Sequence, residues 1–316
     1  MAISGSGSQN DPYLVASVAD ISDAITAVRA KSDAGTYYIK LTTSIDGNWT
    51  KFPVLDFDDA TDKFFDFDGG STESTPLEIK NFVFDDGVLF GVNGDVIRNT
   101  TLYNFYTDDD SNGFISRIEF VDSSISCRVG SHKEILYDSI RTTRCAIWCH
   151  ADAFDKNGNV AYPLCTFEKN NNSDTLVCDE SDFYLKVIDY NVNNYDVPLI
   201  RGVGTISSMI DSRIQGEITN ITPASMYKYP AIIEGVTPGN SVINFDMPAY
   251  SGTITSGSGT HIIPPSITSK CIINSDKIKE TNYASYTGDN VIPVTDTEMH
   301  SASQLTTKGF PVYDIS

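Results

Sequence analysis

No stretch of about 18 apolar residues occurs in this chain, so nothing in it reads as a membrane-crossing helix. The opening MAISGSGSQNDPYL has neither the charged start nor the apolar core of an export signal, and the expectation is synthesis in the cytoplasm without signal-peptide export. Positive charge is scarce: 22 Lys and Arg stand against 42 Asp and Glu, for a formal net charge of −20. Phosphate binding relies on clustered Lys and Arg, which argues against nucleic acid and anionic membranes and leaves basic partners, divalent cations and neutral sugars. CxxC, HExxH and Ser–His–Asp family patterns are missing, as is any heptad seam.

What is present is material for a core. Of 316 residues, 40% are hydrophobic and 11% aromatic, spread along most of the chain, so a folded body is expected. The six cysteines, Cys127, Cys145, Cys149, Cys165, Cys178 and Cys271, read as buried thiols in a reducing compartment. The four-residue spacing of Cys145 and Cys149 suits no common zinc motif.

Residues 1–12 are small and polar and read as a flexible lead-in. From Ser17 to Ala30, Val18, Ile21, Ile25 and Val28 recur at helical spacing, with Ser17 placed to cap the helix and Asp20 three residues later. YYIKLTTSIDG, from Tyr37 to Gly47, then reads as a strand ending in a turn.

Beyond it, short strand-like runs such as KFFDFDGG, FISRIEFVDSSISC and GTISSMIDSRIQGEI recur, each ended by Asp, Asn, Gly or Ser. Apolar pairs, Leu77 with Ile79 or Ile118 with Phe120, return at roughly twenty-residue intervals, the mark of stacked solenoid coils. The polar groups Lys80-Asn81, Arg98-Asn99 and Asp122-Ser123-Ser124 are expected at coil corners, because such side chains bond locally to backbone. Exposed strand edges at a solenoid's ends invite aggregation, so the helix is expected as an N-terminal cap. The expected fold is all-β, a right-handed parallel β-helix with a small C-terminal β region. Its divisions are 1–47 for lead-in, helix and first strand, 48–225 for the β-helix, 226–280 for the C-terminal β region, and 281–316 for a weakly ordered tail or docking segment.

The opening GSGSQNDPYLV, the short helix and YYIKLTTSIDG resemble the start of bacterial and phage β-helix proteins. The closing segment resembles that of phage minor structural proteins through Thr295, Asp296, Met299, Leu305, Gly309, Phe310 and Pro311. These resemblances imply a virion protein of the head-fibre, tail-fibre or decoration type, made in the host cytoplasm and released by lysis. Other virion proteins, and host-surface glycan, would be its partners. Fibres of this kind are often homotrimers, though a monomer on a symmetric lattice is equally compatible.

The densest acidic run, DFDDATDKFFDFDGG, carries Asp56, Asp58, Asp59, Asp62, Asp66 and Asp68. The first reading is a solvated face with Phe57, Phe65 and Phe67 turned inward; Ca²⁺ binding is the second and acid–base sugar cleavage the third. Asp108 to Gly113 and Asp155 to Asn159 read as turns, the latter lacking the Gly and Glu of a calcium loop. His132, His150, His261 and His300 are scattered. Cys145, Trp148, Cys149 and His150 form the most reactive-looking patch, although the alternation of Cys145, Ile147 and Cys149 points to core packing. Tyr103, Tyr106, Tyr184, Tyr190 and Tyr195 could stack on sugar rings if they share a face. No catalytic residue or bound cofactor is assigned, and the leading reading is non-enzymatic. The alternatives are a tailspike-like polysaccharide lyase or glycosidase and a soluble glycan-binding adhesin.

Overall fold

A computed structural model describes residues 3–52, 55–56, 62–72, 74–83, 89–90, 95–107, 115–130, 135–137, 140–155, 164–168, 176–191, 199–203, 207–222, 225–226, 232–234, 236–246, 253–254, 271–277 and 291–309. Among these, strands dominate and the named strands all pair in parallel. A first sheet runs from Tyr13–Val15 to Val236–Gly239, a second from Ile45–Lys51 to Val291–Val294, and a third from Leu55–Asp56 to Ile233–Glu234. The chain visits the first, second and third sheets in turn, then returns to the first one strand further along. The body is therefore all-β and solenoid-like.

Alternation along each strand turns every second side chain inward, and parallel register stacks like on like. In the second sheet one apolar column runs from Ile45 through Ile79, Leu102, Ile125, Ile147, Phe183, Ile214 and Ile243 to Ile273. The third sheet adds Ile115, Leu136, Cys165, Ile200 and Ile233, and the first adds Phe67, Ile97, Phe120, Cys178 and Met209. All of these are buried. A buried Leu, Ile or Phe contributes about 1.5–3 kcal/mol relative to exposure, so such columns dominate the stability of the stack.

The coil interval departs from the expected twenty. Hydrogen bonds between equivalent corner residues span 23 positions from Thr100 to Ser123, 36 from Cys145 to Ser181, 31 from Ser181 to Ser212 and 29 from Ser212 to Ser241. Only the strands must match for the columns to stack, so the connections vary in length.

The corner between the first and second sheets repeats one device. A residue with positive φ, in turn Asn99, Asp122, Arg144, Glu180, Asp211 and Asn240, turns the chain. The next residue, Thr100, Ser123, Cys145, Ser181, Ser212 or Ser241, is buried. Its side chain donates to the carbonyl two residues back: Ser123 to Val121 at 2.8 Å, Ser181 to Asp179 at 2.9 Å, Ser212 to Ile210 at 2.8 Å. Along the stack, Ser181 Oγ accepts from the Cys145 amide and Ser212 Oγ from the Ser181 amide. Arg98-Asn99 and Asp122-Ser123 thus sit at corners as expected. Lys80-Asn81 does not: it lies within strand Glu78–Val83, with Asn81 in a bulge.

Both ends of the stack are covered. Helix α1 spans Val18–Arg29; Ser17 Oγ accepts from the Asp20 amide at 3.2 Å, and the Asp20 carboxylate accepts from the Ala16 amide. Ile21, Ala24, Ile25 and Val28 of α1 join the main core. The lead-in is tied down rather than loose. Ser6 and Gly7 amides donate to the Asp11 carbonyl, and the Tyr38 amide donates to the Gly7 carbonyl. At the other end, strand Val291–Val294 extends the second sheet and is followed by α2 (Asp296–Met299) and α3 (Ala302–Thr307). A capping box joins Thr295 and Glu298, and Met299 and Leu305 pack with Val242, Ile272 and Val294 in a separate small core. The segment expected as a weakly ordered tail thus includes a strand and two helices. Strands on both sides of residue 225 belong to the same first and second sheets.

Candidate functional site

The second sheet holds its apolar column inward and a groove of about 870 Å³ on its outer face. The groove is lined by residues of six successive strands of that sheet, from Thr101–Thr107 to Ser241–Asp246, and by Lys277. Three strands repeat a tripeptide in register: Ser126-Cys127-Arg128, Trp148-Cys149-His150 and Tyr184-Leu185-Lys186. The middle residue is buried while its neighbours face the groove. The next two strands continue with Gln215-Gly216-Glu217 and Asn244-Phe245-Asp246.

One outer column is therefore polar or aromatic, and the other runs from the basic residues Arg128 and Lys186, with the imidazole of His150 between them, to acidic Glu217 and Asp246. Trp148 and Tyr184 stack with centroids 4.8 Å apart and planes within 11°. Arg128 grips Asp152 through Nε and Nη2 at 2.9–3.2 Å, and Lys186 Nζ meets Glu217 at 2.6 Å. His150 Nε2 lies 3.2 Å from Asp152 Oδ1 yet makes no hydrogen bond. Partial burial holds its pKa below the usual imidazole value; Asp152 opposes that shift, Arg128 and Lys186 reinforce it, and Glu217 opposes it weakly.

Two backbone features shape the groove. Between Ile125↔Leu102 and Cys127↔Phe105, the single residue Ser126 faces two residues, Tyr103 and Asn104, with Asn104 at φ 60. This bulge stacks on similar ones below: Asn104 donates to Asn81 at 2.7 Å, and Asn81 to Asp46 at 3.0 Å. The stack of bulges stops at Ser126, and bulges re-aim side chains. Gly216, at φ +144, lies so close to strand Asp182–Asn191 that a Cβ would sit 1.7 Å from the Leu185 carbonyl oxygen. No other residue fits at that point of the floor.

The residues singled out from sequence divide between site and scaffold. Trp148 and His150 line the groove, while Cys145 and Cys149 are buried. Cys149 Sγ lies 3.6 Å from Cys165 Sγ; that contact and burial push its pKa up, and burial pushes Cys145 up to about 11. Tyr103 and Tyr184 line the groove; Tyr106 is half-buried and Tyr190 belongs to the core. Tyr195, His132 and His261 lie outside the described residues, and His300 is exposed beside α2.

Of the acidic run, Asp58 and Asp59 also lie outside them, as does the side chain of Asp56. Asp62 is exposed. Asp66 accepts from both Arg98 Nε and Nη2, and burial raises its pKa despite that partner. Asp68 accepts from the Gly70 amide and Asn99. Asp66 was expected on a solvated face, but the guanidinium of the next coil covers it. Phe65 and Phe67 do point inward. Asp108 to Gly113 and residues 156–159 lie outside the described residues.

Sequence reasoning missed Arg128, Asp152, Lys186, Glu217 and Asp246. For Arg128, Lys186, Glu217 and Asp246 the signal was a repeated outward–inward–outward tripeptide, concealed by its uneven intervals; Asp152 stands outside it. No family model, curated protein or solved structure matches this chain.

Proposed function

We propose that the chain is a right-handed parallel β-helix serving as a non-enzymatic structural component on the surface of a phage particle, of the head-fibre, tail-fibre or decoration type. The right hand follows from the strong preference of parallel crossover connections for it. The observation carrying the structural role is the continuous three-sheet stack closed at both ends. Nine strands in the first sheet, at about 4.8 Å each, make a body roughly 38 Å long. With α1 over one end and α2 and α3 at the other, such a body can project as a rigid rod without pairing edge to edge. The opening and closing phrases of the sequence support the particle assignment.

The test is to purify particles released by lysis of the producing cells and to search them for this chain by mass spectrometry and particle imaging. A fixed copy number per particle, with the solenoid projecting, is the expected result; absence from particles overturns the reading.

A second reading, a tailspike-like glycosidase, is favoured by one observation: Glu217 and Asp246 stand in register on neighbouring strands and both line the groove. A pair of carboxylates in one groove is what sugar cleavage employs. Release of reducing ends from a polysaccharide, lost in Glu217→Gln, would establish that reading in place of the first.

A further inference from the structure

We propose that the slot between Tyr103 and Trp148, floored by Ser126, binds one ring of an uncharged oligosaccharide. The inference does not depend on the chain being part of a particle.

Both tryptophans of the chain, Trp49 and Trp148, and also Tyr103 are exposed, at 52%, 41% and 50%, and all three stand on strands of the second sheet. Water-exposed aromatic surface of this kind costs free energy unless something covers it. Trp148 has one face covered by Tyr184. Its other face looks over Ser126, whose small side chain leaves the space above it open. Beyond Ser126 the bulge at Asn104 presents Tyr103.

Tyr103 and Trp148 are two strands apart, about 9.6 Å at the usual spacing. A ring held between two flat surfaces at contact distances of about 3.5–4.0 Å needs roughly 7–8 Å. One six-membered ring fits, and two do not. Its apolar C–H faces would meet the aromatic walls while its hydroxyl edge meets Asn104, Ser124 and Arg128 at the rim. Concave sites with aromatic walls and a few convergent polar groups are the general form of small-molecule recognition.

Charge selects the ligand class. The chain as a whole carries −20, but of the charged groups lining the groove Arg128 is paired with Asp152 beside it and Lys186 with Glu217, leaving Lys277 and Asp246 to offset one another in formal charge. An anionic sugar would meet the field of the whole protein, and a cationic ligand would find Asp152 and Glu217 already engaged. The groove extends across six strands, roughly 24 Å from first to last, so the ligand is a chain rather than a single sugar.

The experiment titrates the full chain with uncharged glucose, galactose and N-acetylglucosamine oligomers of several rings, read by calorimetry and by tryptophan fluorescence in a Trp49→Phe background. The expected result is saturable binding with a change in Trp148 emission, weakened at least about tenfold by Tyr103→Ala. Ser126→Trp, which fills the slot from a half-exposed position, should abolish binding with the circular dichroism spectrum unchanged. Binding that survives both substitutions overturns the slot; so does failure of every neutral oligomer to bind, or a preference for uronic or sialylated chains. Because the readout uses isolated protein, its outcome is separate from the search for the chain in particles.

Discussion

Two glycines separate backbone strain from steric conflict. Gly35 and Gly216 share nearly the same φ, +142 and +144, but a Cβ on Gly35 meets nothing within 4 Å while one on Gly216 collides with the Leu185 carbonyl oxygen. Gly35→Ala should therefore cost about 1–3 kcal/mol of conformational strain alone. Gly216→Ala should exceed about 4 kcal/mol or prevent folding, because the obstacle is backbone of the neighbouring strand. Denaturant midpoints of the two variants measure the difference; equal losses would show that the strands separate readily there.

His150 gives a pH dependence with a definite sign. Its folded pKa lies below the ordinary imidazole value of about 6.5, chiefly through burial. The unfolded chain thus takes up the proton first, and stability falls as pH drops from above 6.5 towards the lowered folded value. Carboxylates elsewhere also titrate on the acid side, so the comparison with His150→Gln is the measurement. Thermal melts between about pH 7.5 and 5 should show a shallower decline in the variant. A parallel decline would mean that His150 is not held neutral.

At the scale of the element, the corner hydroxyls set where one sheet ends and the next begins. Ser181 is fully buried; its Oγ accepts from the Cys145 amide at 3.3 Å and donates to the Asp179 carbonyl at 2.9 Å. Ser181→Ala leaves the buried Cys145 amide without this partner, while the Asp179 carbonyl keeps the Arg144 amide, and should cost about 1–3 kcal/mol. The chain itself places Cys145 at the equivalent corner, with Sγ 3.3 Å from the Thr143 carbonyl. Ser181→Cys should therefore lose distinctly less than Ser181→Ala in the same unfolding experiment. If the two losses match, hydrogen bonding at the corner is not what holds it. Much of this scale was legible beforehand: α1, its Ser17 cap, and the corners at Asn99 and Asp122 follow from local chemistry. The bulge at Asn81 was not legible, since Asn favours a positive φ equally at a bulge and at a corner, and only the strand register distinguishes them.

For the whole molecule the dominant electrostatic fact is the charge of −20. Ion pairs such as Arg128–Asp152, Arg144–Asp122 and Lys186–Glu217 are half-exposed, and each contributes at most about 1 kcal/mol. Self-repulsion of so large a net charge outweighs what salt removes from those pairs. The melting temperature should rise as sodium chloride increases from low to physiological strength and beyond; a fall would mean that the surface pairs dominate.

The sequence by itself determined that the chain is all-β, that short strands recur between polar corners, and that a helix stands near the start. These follow from alternation, turn chemistry and capping, which act within a few residues. It also marked Trp148, His150, Tyr103 and Tyr184 without placing them together. Only the tertiary structure decided which strands lie side by side, because coil intervals of 23 to 36 residues leave no fixed period to read. Register then brought Ser126, Trp148 and Tyr184 into one outer column and Arg128, His150, Lys186, Glu217 and Asp246 into the next. The physical reason is that the inward apolar columns fix the register of every strand, and the outward side chains assemble into a groove as its consequence.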